Sequence, residues 1–201
     1  MDARNLLGDV RWTSREPAGL REAAAIQARH ADLTIAGQPV EGQHLGLREA
    51  ALDGALFSSG RPLLIVPSNW HGPMTVRHVT IAWDASREAA RALSDAVVFI
   101  DGAETISIVI VDPKPGQKDF GEDPGTDIAA VLARHCSNVV LDRIPSSGAS
   151  VSQALLTRAS DASSDLIVMG AYGHSPLRES IFGGVTRDMV EQTTIPLLLS
   201  H

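Results

Sequence analysis

One stretch constrains the fold more than any other: the apolar run Asp165-Leu-Ile-Val-Met169 and the segment after it, Gly170–Thr186, GAYGHSPLRESIFGGVT. Ser163-Ser164 bounds the run in front and glycine bounds it behind, so it reads as a buried parallel strand ending in a glycine-rich loop. A helix is expected from about Gly183, with Val185, Met189 and Val190 as its apolar positions, and the run Ile195-Pro-Leu-Leu-Leu199 closes the chain. A strand, a glycine-bearing loop and a helix amino terminus leave main-chain N–H groups unpaired at the positive end of a helix dipole, which makes an anion site. Phosphate is the expected anion. Two residues separate Gly170 from Gly173 and nine separate Gly173 from Gly183, which is neither a Walker A loop nor a G-x-G-x-x-G turn.

Upstream of this stretch, strands and helices alternate. Val79–Trp83, Ile106–Val111 and Asn138–Leu141 read as strands. Arg87–Ile100 reads as a helix capped by Ser86, with Ala90, Leu93, Val97 and Val98 facing inward. Further helices are expected from Thr126 or Asp127 to about His135 and over Val151–Ala162. Residues 112–125 hold three prolines and three glycines and read as loop. Residues 77–200 therefore follow β-α-β-α-β-α-β-α-β, the pattern of an α/β domain: an open, parallel, five-stranded sheet with helices on both faces.

The first 70 residues carry a shorter version of the same pattern. Asp32-Leu-Thr-Ile-Ala36 ends at Gly37, and Pro62-Leu-Leu-Ile-Val66 ends at Pro67. Helices are expected over Gly19–Ala31 and Leu47–Phe57, and a short strand over Val10–Trp12. Asp32 to Pro62 is 30 residues and Asp165 to Pro196 is 31, so composition and spacing both repeat. The chain reads as residues 73–201, a complete domain, preceded by residues 1–72, a partial copy of the same fold joined by a linker near 68–76. The partial copy lacks counterparts of 79–83, 87–100 and 106–111. Half a parallel sheet leaves an apolar face and an open edge, so the expectation is that this half leans on the complete domain or that sequence upstream of it has been lost.

Composition excludes several function classes. The net charge of −7 and the lack of a basic run argue against nucleic-acid binding. Aromatic residues are only 4%, which suits helices on a parallel sheet better than a β-sandwich. The single cysteine, Cys136, rules out an internal disulfide and a cysteine-built zinc site. Seven histidines show no H-x-x-x-H spacing, so no metal site is expected. No apolar stretch approaches the roughly 20 residues that cross a bilayer, and the first residues do not read as a signal peptide. The expectation is a soluble cytoplasmic protein.

The pattern Gly170-x2-Gly173-x9-Gly183-Gly184-Val185-Thr186 resembles the nucleotide-binding loop of the universal stress protein family, G-x2-G-x9-G-S/T. One departure concerns chemistry: Gly184 stands where the family has Ser or Thr, so a phosphate-binding hydroxyl is missing, and Thr186 is the nearest replacement. The resemblance implies a Rossmann-like fold that binds an adenine nucleotide, ATP, with or without Mg2+. Asp84 matches the acidic residue that faces adenine and ribose. Ala82 stands where proline is common, beside the bulky Trp83. Ile110 matches an apolar position lining the base pocket. Met169, Gly170, Gly173, His174, Gly183, Gly184, Val185 and Thr186 complete the candidate nucleotide-binding set, with Arg178 as the nearest firm positive charge. Read from the residues alone, Asp84 also fits a helix cap and Ile110 the core, and an ordinary solvated surface is the commoner reading of His174 and Arg178. In the first half, Gly37 matches Gly170 but Val40 replaces the second glycine, so that site reads as degenerate.

Nothing in the sequence demands catalysis. There is no G-x-S-x-G elbow, and the two lysines, Lys114 and Lys118, fall in the 112–125 loop. The implied role is nucleotide-dependent conformation or assembly, with at most slow ATP hydrolysis. The alternative is an interaction module that keeps the fold without a nucleotide. Family members often pair through their last strands, which implies a homodimer, or an intrachain pseudo-dimer joining Pro62–Val66 to Pro196–Leu199.

Overall fold

A computed structural model describes residues 8–10, 17–39, 45–71, 73–113, 123–171 and 184–201. The apolar runs form seven strands: β1 (Thr34–Gly37), β2 (Leu63–Val66), β3 (His78–Ala82), β4 (Thr105–Val111), β5 (Val139–Ile144), β6 (Leu166–Gly170) and β7 (Leu197–Ser200). Among the described residues the helices are α1 (Pro17–Ala28), α2 (Leu45–Phe57), α3 (Arg87–Ile100), α4 (Thr126–Leu132), α5 (Val151–Asp161) and α6 (Gly184–Gln192). Ser86 and Ser150 cap α3 and α5, each accepting a hydrogen bond from a main-chain N–H three residues on, at 3.0 and 3.1 Å.

The expectation of a five-stranded sheet needs correcting. The five strands β3 to β7 are present, but the sheet has seven, in the order β1-β2-β7-β6-β3-β4-β5. The two extra strands join because β2 pairs antiparallel with β7, with Leu63, Leu64 and Ile65 opposite Leu199, Leu198 and Leu197. All other pairs are parallel.

Side chains alternate across this sheet and build a core on each face. On one face, Leu63, Ile65, Leu197, Leu199, Ile167, Met169 and Val109 pack under α2, α5 and α6. On the other, Leu64, Leu198, Val168, Ile81 and Ile108 pack under α3 and α4. The inward stripe of α3 differs from the expected one. Ala89, Ala92, Leu93, Ala96 and Ile100 are buried, whereas Val98 is 78% exposed and Ala90 is also exposed. The small alanines bring the helix axis close to the sheet, and their three-and-four spacing outweighs the larger valines. Val185 likewise faces outward on α6, while Met189 and Val190 are buried. Helix α4 ends at Leu132, earlier than expected. Cys136 is buried, its Sγ lying 3.4 Å from the Ala103 carbonyl oxygen.

One polar contact clamps the ends of the two halves together. Gln38, just past β1, donates through Nε2 to the carbonyl oxygens of Val190, Glu191 and Thr193 at 3.0, 2.9 and 3.1 Å, while its Oε1 accepts from Ser68 N at 3.1 Å. The amide thereby satisfies carbonyl groups that the end of α6 leaves without helical partners.

Candidate functional site

In an open parallel sheet, ligands bind beyond the carboxyl ends of the strands at the place where strand order reverses. Here that place lies between β3 and β6. From β3 the chain proceeds outward to β4 and β5, then returns to lay β6 on the other side of β3. Ala82 is in register with Met169 on β6 and with Val109 on β4. Three of the expected segments, Ala82–Asp84, Ile110–Asp112 and Met169–Gly170, therefore end on one rim.

Two backbone features mark that rim. Ala85 and Asp112, which follow β3 and β4, have φ of 60° and 49°, a region costly for residues other than glycine. Both are held by hydrogen bonds, local at Ala85 and long-range at Asp112. Asp84 Oδ1 accepts from Ser86 N at 3.0 Å, closing the turn that carries Ala85. Asp112 Oδ1 accepts from Ser146 N at 2.9 Å, and Asp112 N donates to the Ile144 carbonyl oxygen at 2.9 Å. Asp84 and Asp112 are both exposed. Ser86, not Asp84, caps α3, which leaves Asp84 Oδ2 outside that turn contact. Sequence reasoning missed the special backbone at 85 and 112, because alanine carries no signal for positive φ and aspartate only a weak one.

Gly170 has a packing reason to be glycine. A Cβ built there would meet Ala89 N at 2.5 Å and the Glu88 carbonyl carbon at 2.6 Å, so the start of α3 rests directly on the end of β6. Glu88 is buried beside it. Burial pushes its carboxyl up, but the hydrogen bond from Arg87 Nε at 2.6 Å, with a main-chain hydrogen bond and the charges of Arg87 and His201, outweighs this and holds it below its ordinary value. His201 reaches the same rim, its Nδ1 lying 3.0 Å from the Ala171 carbonyl oxygen and its ring edge-on to Phe57 at 5.0 Å.

The other expected residues divide into three groups. Trp83 is half-buried, packs on the α3 core and continues the strand ladder through its N–H to the Val109 carbonyl oxygen at 2.9 Å. Ile110 is buried in the same core, against the place where Gly125 starts α4, and Met169 is buried on the opposite face. At the amino end of α6, Gly184 and Val185 are exposed, whereas Thr186 is buried. A Cβ at Gly184 would meet nothing within 4 Å, so a hydroxyl-bearing side chain has room there. Gly173, His174, Arg178 and Gly183, and Val40 in the first half, lie outside the described residues.

Comparison with known proteins now bears on this geometry. The model of the universal stress protein family matches residues 75–201. The chain belongs to the universal stress protein family. Solved universal stress proteins share its fold. One from Archaeoglobus fulgidus is 19% identical with a TM-score of 0.63, covering 88% of this chain and 63% of its own. A putative universal stress protein from Pseudomonas aeruginosa is 15% identical with a TM-score of 0.57, covering 94% and 69%. UspA from Lactobacillus plantarum is 15% identical with a TM-score of 0.50, covering 64% of this chain and all of its own. The chain thus spans less than two thirds of the Archaeoglobus protein's length. Among curated protein sequences no relative is found. Among the described residues no helix of this universal stress protein is long and apolar enough to cross a membrane.

Proposed function

We propose that this universal stress protein binds an adenine nucleotide, ATP, on the rim shared by β3, β4 and β6, and that binding acts in a stress response through conformation or assembly. The observation that carries this reading is the parallel β3–β6 pairing at the switch point, which brings Asp84 to the same rim as the start of the Gly170–Gly184 segment. In this reading the phosphates lie along Gly173–Gly184 and against the amino end of α6, where main-chain N–H groups and the helix dipole favour an anion. Asp84 faces the base and ribose, with Trp83 beside it and with Ile110 and Met169 behind it on opposite faces of the sheet. Mg2+ travels with the triphosphate if at all. Residues 1–72 are then a partial second copy, and the β2–β7 seam is the intrachain version of a dimer contact. The matching registers of β1–β2 and β6–β7 support this: Thr34 N donates to the Pro62 carbonyl oxygen as Ile167 N does to that of Pro196.

A second reading, a nucleotide-independent interaction module, is favoured by one observation: residue 184 has no hydroxyl. Titration calorimetry with ATP separates the two. Nucleotide-free parent protein is expected to bind, Gly173→Val to lose binding, and Gly184→Ser to tighten it roughly three- to tenfold, the worth of about one hydrogen bond. A folded parent that gives no binding heat and no shift in melting temperature with ATP would favour the interaction module.

A further inference from the structure

The two similar halves expose a matched set of positions when their registers are aligned. Asp165, just before β6, accepts the main-chain N–H groups of Arg77 and His78 at 2.9 Å each, locking β6 to the start of β3. Its counterpart Asp32, just before β1, is exposed. Val168 is fully buried under α3, while its counterpart Ile35 is 64% exposed. Gly170 touches Glu88 and Ala89 of α3, while a Cβ at its counterpart Gly37 would meet nothing within 4 Å. Ala159 on α5 is fully buried, while its counterpart Ile26 on α1 is 40% exposed. In a parallel strand alternate residues bond to opposite neighbours. Thr34 and Gln38 donate to β2, so Leu33, Ile35 and Gly37 turn their main-chain groups to the open edge.

Three positions that engage β3 and α3 in one half, and a fourth in the core of the opposite sheet face, are therefore open among the described residues of the other. We propose that the outer edge of β1 is a socket for a strand–turn–helix segment of a separate polypeptide, with the chemistry of Arg77–Ile100. The incoming strand lies parallel to β1 and hydrogen-bonds to the main chain of Leu33, Ile35 and Gly37. Its first N–H groups bind the Asp32 carboxylate, as Arg77 and His78 bind Asp165. Its helix passes over Ile35 and starts with its main chain above Gly37, as the main chain of Glu88 and Ala89 does over Gly170. This is β-strand addition to an exposed edge, with the affinity coming from main-chain bonds and the specificity from alternate side chains. It rests on the registers of the two halves and not on nucleotide binding, so either reading can fail alone.

The probe is a fluorescein-labelled synthetic peptide of residues 77–101, titrated into the full chain by anisotropy. Saturable binding is expected, lost in Ile35→Arg and in Gly37→Leu, weakened about tenfold in Asp32→Ala by the loss of hydrogen bonds to a charged acceptor, and unchanged in Val140→Arg on the other edge strand. Ile35 and Gly37 are exposed, so the variants are expected to remain folded, which thermal melts check. The proposal is overturned if the parent does not bind, if Val140→Arg abolishes binding as Ile35→Arg does, or if binding emerges only after residues 1–16 are removed. A parent that light scattering finds dimeric, and that Ile35→Arg makes monomeric, would overturn it in favour of a second copy as occupant.

Discussion

At the scale of single residues, Asp53 is the most consequential group outside the candidate site. It is 1% exposed between α1 and α2 and is paired with Arg21. Burial pushes its carboxyl above the ordinary value of 3.8, outweighing the charge and hydrogen bond of Arg21. A folded chain that holds this proton more tightly than the unfolded chain gains stability below the ordinary value and loses it as pH rises through the raised one. At neutral pH the ionised group is then a net cost. Asp53→Asn should therefore raise the urea midpoint at pH 7, with the gain shrinking as pH falls toward 3.8. A midpoint lowered at pH 7 would show that the Arg21 pair outweighs burial.

At the scale of elements, α1 and α2 cross closely because Gly54 lacks a side chain. A Cβ there would stand 2.0 Å from the main-chain oxygen of Arg21. Gly54→Leu should cost about 1–3 kcal/mol through overpacking and expose α1 to proteolysis before the rest of the chain. Uniform cleavage across both halves would contradict this. Sequence periodicity could not have found the crossing, since it locates helices but not which pair approaches most closely. It did find α3 from Arg87 to Ile100, because that helix follows local spacing. It misjudged the buried stripe of α3 because alanines carry a weak hydrophobic signal but permit close packing. The rim was legible through strand order, whereas Ala85, Asp112 and the Gln38 clamp depend on contacts distant in sequence or on backbone angles that no residue type announces.

At the scale of the whole molecule, the antiparallel seam makes one sheet of two unequal parts. The Lactobacillus protein matches 64% of this chain over its whole length, and removing residues 1–72 would bare the β7 edge with Leu197 and Leu199 beside it. That edge already pairs antiparallel, so residues 73–201 by themselves should dimerise edge to edge, read by size-exclusion chromatography with light scattering. A stable monomer would show that β2 is not needed to cover it.

The seam has a consequence for geography. Because β2 runs against β7, and β1 follows β2, Gly37 and Gly170 mark opposite ends of the molecule. A small anion at one end and a polypeptide at the other would never compete for space. With both proposed sites in use, each end would be free to drift, specialise or fall silent while its neighbour kept its occupation, giving a short chain two independently evolvable poles.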